Sequence, residues 1–195
     1  MNKGQCAAAV VGLAFGLIAL MVGGGCVKPQ GTIEMTTVPA IPWEKNLLLK
    51  EGVTLTASSH NEESEGVEKL LDNDPNTFWH VDLSMMGLPA WVEADFGEGK
   101  AVVVSSFAAR PRIDPAGPEH GAQQFFRNVQ IQASHDGVNW APLAWARQLR
   151  APEERIWSRC DFKNREAFRF WRLLIIDGHL RDNRYFLSMA DLALF

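Results

Sequence analysis

The segment "DNDPNTFWH", residues 72–80, carries two acids, a threonine and a Trp-His pair within nine residues. Asp72, Asp74 and Thr77 offer oxygen atoms at close spacing. A hard cation such as Ca²⁺ binds several oxygens, backbone carbonyls included, on a tight loop. The same acids could instead form Asx-turns, in which the carboxylate of Asp72 accepts a hydrogen bond from the backbone nearby. The spacing therefore allows either an ion site or a plain turn.

The other acids and histidines lack the spacing of a catalytic site. Adjacent acids occur only at residues 62–63 and 153–154, and neighbours in a strand point to opposite faces, so such pairs make poor acid and base couples. No G-x-S-x-G or H-E-x-x-H motif is present, and the histidines show no metal-ligand spacing. Cys160 lies in a strand-like run, where we expect a buried, inert thiol. The sequence predicts no catalysis.

The first 25 residues have the pattern of an export signal. Lys3 precedes an apolar run over residues 6–22, and the small residues "GGG" follow before Cys26. We predict a cleaved signal peptide over residues 1–25. A transmembrane anchor is the alternative, although a run of 17 residues is slightly shorter than the about 20 that a span needs.

Cys26 resembles the cysteine of a bacterial lipoprotein lipobox, which becomes the lipidated N-terminus of the mature chain. Gly23 stands where that pattern usually has Leu or another aliphatic residue. We expect an exported protein of the bacterial cell envelope, held to the membrane by a lipid on Cys26, with plain secretion as the alternative. The net charge of −4 disfavours nucleic acid as a partner, because phosphate binding needs a basic surface.

The remaining 170 or so residues read as a short tether and one domain, about the size of a single core. Residues 26–44 hold three prolines and no apolar period, and are predicted to be a tether. From residue 45 onward, short strand-like runs are bounded by turn signals such as "DPAGP" and "SHDG". Only "GVEKLL" looks helical. The pattern predicts an all-β domain over residues 45–195, a β-sandwich or jelly roll.

Several of these runs, in order, resemble segments of discoidin-type domains, also called coagulation factor 5/8 type C domains. "LLDNDPNTFWH" resembles A-x-DG-x-x-x-T-x-W-H, and "WVEADFGEG" resembles the W-I-x-V-D-L-G strand. "NVQIQASHDGVNWAPLA", "FRFWRLLI" and "MADLALF" are similar to later segments of the same domains. Within the family, the Trp-His pair and the "PR" before a long loop most resemble the family 32 carbohydrate-binding modules, which bind galactose-type sugars.

The resemblance implies an eight-stranded antiparallel β-sandwich of the jelly-roll, galactose-binding-domain-like type. It also implies non-catalytic binding of a galactose-type glycan in the loops at one end. His80 is similar to the histidine that contacts a sugar hydroxyl, and Arg112 is similar to the arginine of the family's Pro-Arg pair. The other sugar-binding candidates are Arg110, Glu62 (or Glu63), Tyr185 and Phe186.

A structural Ca²⁺ is implied at the loop of Asp72, Asp74 and Thr77, completed by a glutamate near the C-terminus. The matching position here is Asp191, whose side chain is one methylene shorter. Asn73 stands where the family often has Gly, so it must supply a left-handed backbone conformation. Trp79 is expected in the core.

Two other functions stay open. Coagulation-type relatives bind lipid surfaces through exposed apolar loops, and Met85, Met86 and Leu88 would form such a patch beside the proposed site. Alternatively, the domain could dock a protein partner in a surface assembly and bind no small ligand.

Overall fold

The computed structural model describes residues 31–82, 88–148, 152–153, 155–178, 180–181 and 184–195. The predicted signal peptide and the proposed lipidation site at Cys26 lie outside these ranges and stay predictions. Among the described residues, no helix has the length and apolar character needed to cross a membrane.

Alternating apolar residues produce short strands throughout the described chain. The strands in chain order are β1 (Thr32–Glu34), β2 (Thr36–Val38), β3 (Thr54–Ala57), β4 (Trp79–His80), β5 (Ala90–Asp95), β6 (Ser106–Arg110), β7 (Phe126–Ser134), β8 (Ala141–Arg147), β9 (Trp157–Asp161), β10 (Phe170–Gly178), β11 (Leu180–Arg181), β12 (Arg184–Tyr185), β13 (Ser188–Met189) and β14 (Asp191–Leu194). Helical turns are short: 3₁₀ turns at Trp43–Lys45, Leu47–Leu49, Glu63–Glu65 and Val67–Leu71, and the α-helix α1 at Pro118–Gln123.

The strands form two main sheets that enclose one core. The larger sheet has the order β1-β8-β7-β10-β5-β3, and the smaller has the order β14-β6-β9-β2. Strand β10 lies between β7 and β5. Val129 and Ile131 of β7 are buried in the same core cluster as Phe107 and Leu192 of the smaller sheet. The predicted β-sandwich is confirmed, and its two small extra ribbons, β4 with β13 and β11 with β12, lie in the loop regions.

The structure differs from the predicted tether over residues 32–38. Strand β1 pairs with β8, and β2 pairs with β9, so this segment closes one edge of each sheet and belongs to the sandwich. The pairing of β1 with β8 is parallel, which departs from the purely antiparallel prediction. The apolar pattern did not predict these strands because backbone pairing depends little on apolar periodicity and the residues of β1 and β2 are mostly exposed.

Asn46 fastens the start of the predicted domain to the last strand. Its side chain is buried, donates to the carbonyl of Leu192 (3.0 Å) and accepts from the amides of Leu48 (3.1 Å) and Leu194 (3.0 Å). A buried amide is tolerated only when its polar atoms are paired in this way. Cys160 is buried as predicted, and burial raises the pKa of its thiol to about 12.

Candidate functional site

The Trp-His pair is divided between the core and the surface by the alternation of strand β4. Trp79 is fully buried, and its indole Nε1 donates to the carbonyl of Ser59 at 2.9 Å. His80 points the other way and is half-buried. The prediction that Trp79 is a core residue is confirmed. His80 is therefore the member of the pair that can meet a ligand.

His80 is held by a glutamate. The distance from His80 Nδ1 to Glu65 Oε2 is 3.2 Å, and Asn61 donates to the same carboxylate oxygen at 3.1 Å. A neutral imidazole can bond to a carboxylate only through an N–H, so Nδ1 carries the proton. The other ring nitrogen, Nε2, is then left as a hydrogen-bond acceptor.

Arg112 follows the end of β6 and lies beside this histidine. Its Cζ lies 4.1 Å from the ring centroid of Phe78, and the rings of Phe78 and His80 meet in an edge-type contact at a centroid distance of 6.3 Å. The Arg112 Nη2 donates to Asp114 Oδ2 at 2.5 Å. The guanidinium is thus fixed by a carboxylate on one side and an aromatic ring on another.

Asp114 orders the loop that follows Arg112. Burial raises the pKa of this carboxyl, but hydrogen bonds from the Ala116 amide and from Arg112 outweigh that effect and hold the pKa below its usual value. Gln124, at the end of α1, also donates to Asp114. The backbone of Gly121 lies so close to the Arg112 carbonyl that a side chain there would collide with it. The long loop therefore folds back onto Arg112.

The structure brings together two of the predicted sugar-binding residues, His80 and Arg112, and separates others from them. Arg110, two residues before Arg112, would point the same way as Arg112 if the strand continued past it. Strand β6 ends at Arg110, whose side chain contacts Asp191 and Asn73 on a different side.

The remaining candidates have different outcomes. Glu62 and Glu63 are exposed, whereas Glu65, which the sequence analysis did not select, contacts His80. Phe186 is half-buried. Tyr185 belongs to β12, but its side chain lies outside the described part. Phe78 and Asp114 were also missed as site residues. The one signal for them was their position next to the Trp-His pair and the Pro-Arg pair.

The acidic loop forms two consecutive Asx-turns. Asp72 Oδ1 accepts from the amide of Asp74, and Asp74 Oδ1 accepts from the amide of Asn76, both at 3.0 Å. Thr77 Oγ1 donates to the other oxygen of Asp72 at 2.5 Å. Asn73 has φ of +59°, the left-handed conformation that the resemblance implied. The turn interpretation of these residues therefore matches the geometry.

Asp191, the residue predicted to complete a Ca²⁺ site, is already paired with an arginine. Asp191 is fully buried, and its Oδ2 accepts from Arg110 Nε at 2.6 Å, while its Oδ1 has no hydrogen-bond partner among the described atoms. Burial raises the pKa of Asp191 to about 6, against the opposing effect of Arg110 and with a further increase from Asp72. Within the described ranges, no three His, Cys, Asp or Glu side chains are grouped so that they could hold a metal ion. This donor set does not fit the expected ion.

The pKa of His80 predicts how stability depends on pH. Burial lowers this pKa below its ordinary value of 6.5, although Glu65 acts in the opposite direction. In the unfolded chain His80 titrates near the ordinary value, so between the two values the unfolded state binds more protons. The contribution of His80 to stability is therefore present above pH 6.5 and is lost as the pH falls below it.

We expect the free energy of unfolding of the wild type to fall more steeply below that pH than that of His80→Gln. Urea denaturation of both proteins between mildly acidic and neutral pH measures the difference, in which the other four histidines cancel. If the free energies of unfolding of the two proteins depend on pH in the same way, His80 is not buried in its neutral form.

Comparison with known proteins gives one family and a set of similar folds. The family model described as F5/8 type C domain matches residues 54–174. A search of curated proteins finds no significant match. Among solved structures, the family 32 carbohydrate-binding module of Clostridium perfringens NanJ in complex with galactose is 24% identical with a TM-score of 0.55, covering 73% of this chain and 92% of that one.

Two further structures have similar values. CpGH89CBM32-5 from Clostridium perfringens, in complex with GalNAc-β-1,3-galactose, is 18% identical with a TM-score of 0.57, over 73% of this chain and 94% of that one. A fragment of a chitobiase-like protein from Bacteroides thetaiotaomicron is 20% identical with a TM-score of 0.61, over 75% and 89% of the two chains. At this level of identity the three structures show a shared fold.

Proposed function

The chain belongs to the F5/8 type C domain family, and from that premise we propose that it is a non-catalytic module that binds a neutral, galactose-type glycan between His80 and Arg112. The observation that carries this proposal is the arrangement of an acceptor beside a donor, each held in place by its own carboxylate. Similar folds that were solved with galactose or with GalNAc-β-1,3-galactose support the choice of ligand.

The two side chains suit a pair of neighbouring hydroxyl groups. The Glu65 contact leaves Nε2 of His80 as an acceptor for one hydroxyl, and the guanidinium of Arg112 donates to the next. Both are ordered before a ligand arrives, because Glu65 orients the imidazole while Asp114 and Phe78 fix the guanidinium. Preorganised groups lose little side-chain entropy on binding.

The charges of the site favour a neutral sugar over an acidic one. Glu65 lies against His80 and Asp114 lies against Arg112, so the site carries two carboxylates for one guanidinium, and a sialic or uronic acid would meet negative charge. A charge directly opposite a like charge lowers affinity, whereas uncharged hydroxyls can use both the donor and the acceptor.

A glycan array probed with the purified protein tests this function. We expect signals from glycans with terminal galactose or N-acetylgalactosamine, weaker signals from their sialylated forms, and loss of all signals in the His80→Ala/Arg112→Ala double variant. Arg159→Ala, which removes an arginine on β9 that contacts Asp161 and Phe195, is the matched control and should bind like the wild type. An array without any signal, or a double variant that binds normally, would reject the proposal.

The lipid-surface alternative has a different expected result. Met85 and Met86 lie outside the described residues, and Leu88 packs against the hydrophobic core. Sedimentation with liposomes that free galactose does not prevent would favour this alternative over the glycan.

A further inference from the structure

Arg110 and Asp191 are brought face to face by the register of the smaller sheet. They are direct cross-strand partners in the antiparallel pair of β6 and β14, so their Cβ atoms are neighbours. The Arg110 Nε donates to Asp191 Oδ2 at 2.6 Å, and both side chains are largely or wholly buried, with 11% and 0% of their areas exposed. The guanidinium also lies over the ring of Trp157, at 4.8 Å from its centroid.

The same guanidinium reaches the acidic loop. Its Nη2 donates to the side-chain oxygen of Asn73 at 3.1 Å. The pKa of Asp74 is lowered, chiefly by hydrogen bonds from Asn76 and in smaller part by the positive charge of Arg110. Arg110 thus connects the loop of residues 72–77 to the last strand of the sandwich.

We propose that the Arg110 guanidinium serves in this chain as the built-in cation that fastens the acidic loop to β14, in place of a bound calcium ion. The expected ion would join the same two segments, the loop and the residue at position 191. A guanidinium already occupies Oδ2 of Asp191, and a divalent cation entering beside it would meet a fixed positive charge at short distance.

The residue at position 73 agrees with this arrangement. The left-handed conformation alone, with φ of +59°, would be satisfied most easily by glycine. Asparagine tolerates it and adds the oxygen that accepts from Arg110. Two turns of the loop are closed by Asp72 and Asp74 themselves, so no metal is needed to gather their carboxylates.

Thermal melts with and without calcium test the proposal. We expect the melting temperature of the wild type to change by less than about 1 °C between millimolar CaCl₂ and excess EDTA. Arg110→Met should melt about 6–20 °C lower, because it leaves the buried Asp191 carboxylate unpaired. Arg159→Met is the matched control: it also removes a strand arginine paired with an aspartate, but that pair is partly exposed, and the loss should be at most about 4 °C.

Two outcomes would overturn the proposal. One is a wild-type melting temperature that falls by several degrees in EDTA and returns with CaCl₂. The other is an Arg110→Met protein that melts within the range of the control. If Arg110→Met does not fold, Arg110→Lys replaces it. This variant keeps the charge and loses the bond to Asn73, so it should melt at a lower temperature than the wild type. These readings concern stability alone, so they stand or fall independently of glycan binding.

Discussion

Arg112→Ala is expected to weaken glycan binding by about 10- to 150-fold, the largest loss that any single change at the site should cause. The estimate corresponds to one hydrogen bond from a charged donor, about 1.5–3 kcal/mol. The substitution also uncovers the ring of Phe78 and releases Asp114, which would lose the partner at 2.5 Å that helps to order its loop. Calorimetric titration with the glycan selected by the array measures the change in affinity.

Two comparisons separate a binding role of Arg112 from a structural one. Arg112→Lys keeps the positive charge but lacks the planar group that lies over Phe78, so its affinity should be intermediate. Thermal melts of the same proteins show whether the fold is retained. If Arg112→Ala folds and binds as tightly as the wild type, the ligand must lie elsewhere and Arg112 only orders its loop.

Trp79→Ala is expected to lower the free energy of unfolding by about 3–5 kcal/mol. No part of Trp79 is exposed, and its indole forms a 2.9 Å hydrogen bond to the Ser59 carbonyl. The change would leave a large cavity beneath His80 and an unpaired carbonyl. Denaturation by urea, followed by tryptophan fluorescence or circular dichroism, gives the free energy.

Trp79→Phe is the matched variant for this position. It keeps an aromatic ring of smaller volume and removes only the hydrogen bond and part of the packing, so it should be clearly more stable than Trp79→Ala. A Trp79→Ala protein of wild-type stability that had lost glycan binding would instead make Trp79 a ligand residue.

Periodicity along the sequence was enough to predict the sandwich. Val129, Ile131 and Ala133 alternate with amides over β7, and the structure buries all three. The alternation is informative because successive side chains of a strand point to opposite faces. The burial of Trp79 was expected from the family resemblance, and alternation along β4 then turns the half-buried His80 away from the core.

Side chains that meet across long sequence separations were beyond such local patterns. Residues 62, 63 and 65 are all glutamates, and only the 3₁₀ turn Glu63–Glu65 and its approach to β4 decide that Glu65 contacts His80. Arg110 and Arg112 are two residues apart, but β6 ends at the first of them, so the expected common direction is lost.

The acidic loop, residues 72–77, shows most clearly which features followed from local sequence and which required the tertiary structure. Residues 72–77 alone indicated an Asx-turn at Asp72 as one of two alternatives, because such a turn depends on bonds within a few residues, and the family resemblance implied the left-handed Asn73. Whether a metal ion or an arginine faces Asp191 depended on which strand pairs with β14. The residue that faces it, Arg110, is 81 residues away from Asp191 in the chain. Only the register of the two strands places that guanidinium against the buried carboxylate, since cross-strand neighbours are fixed by backbone pairing and not by local sequence.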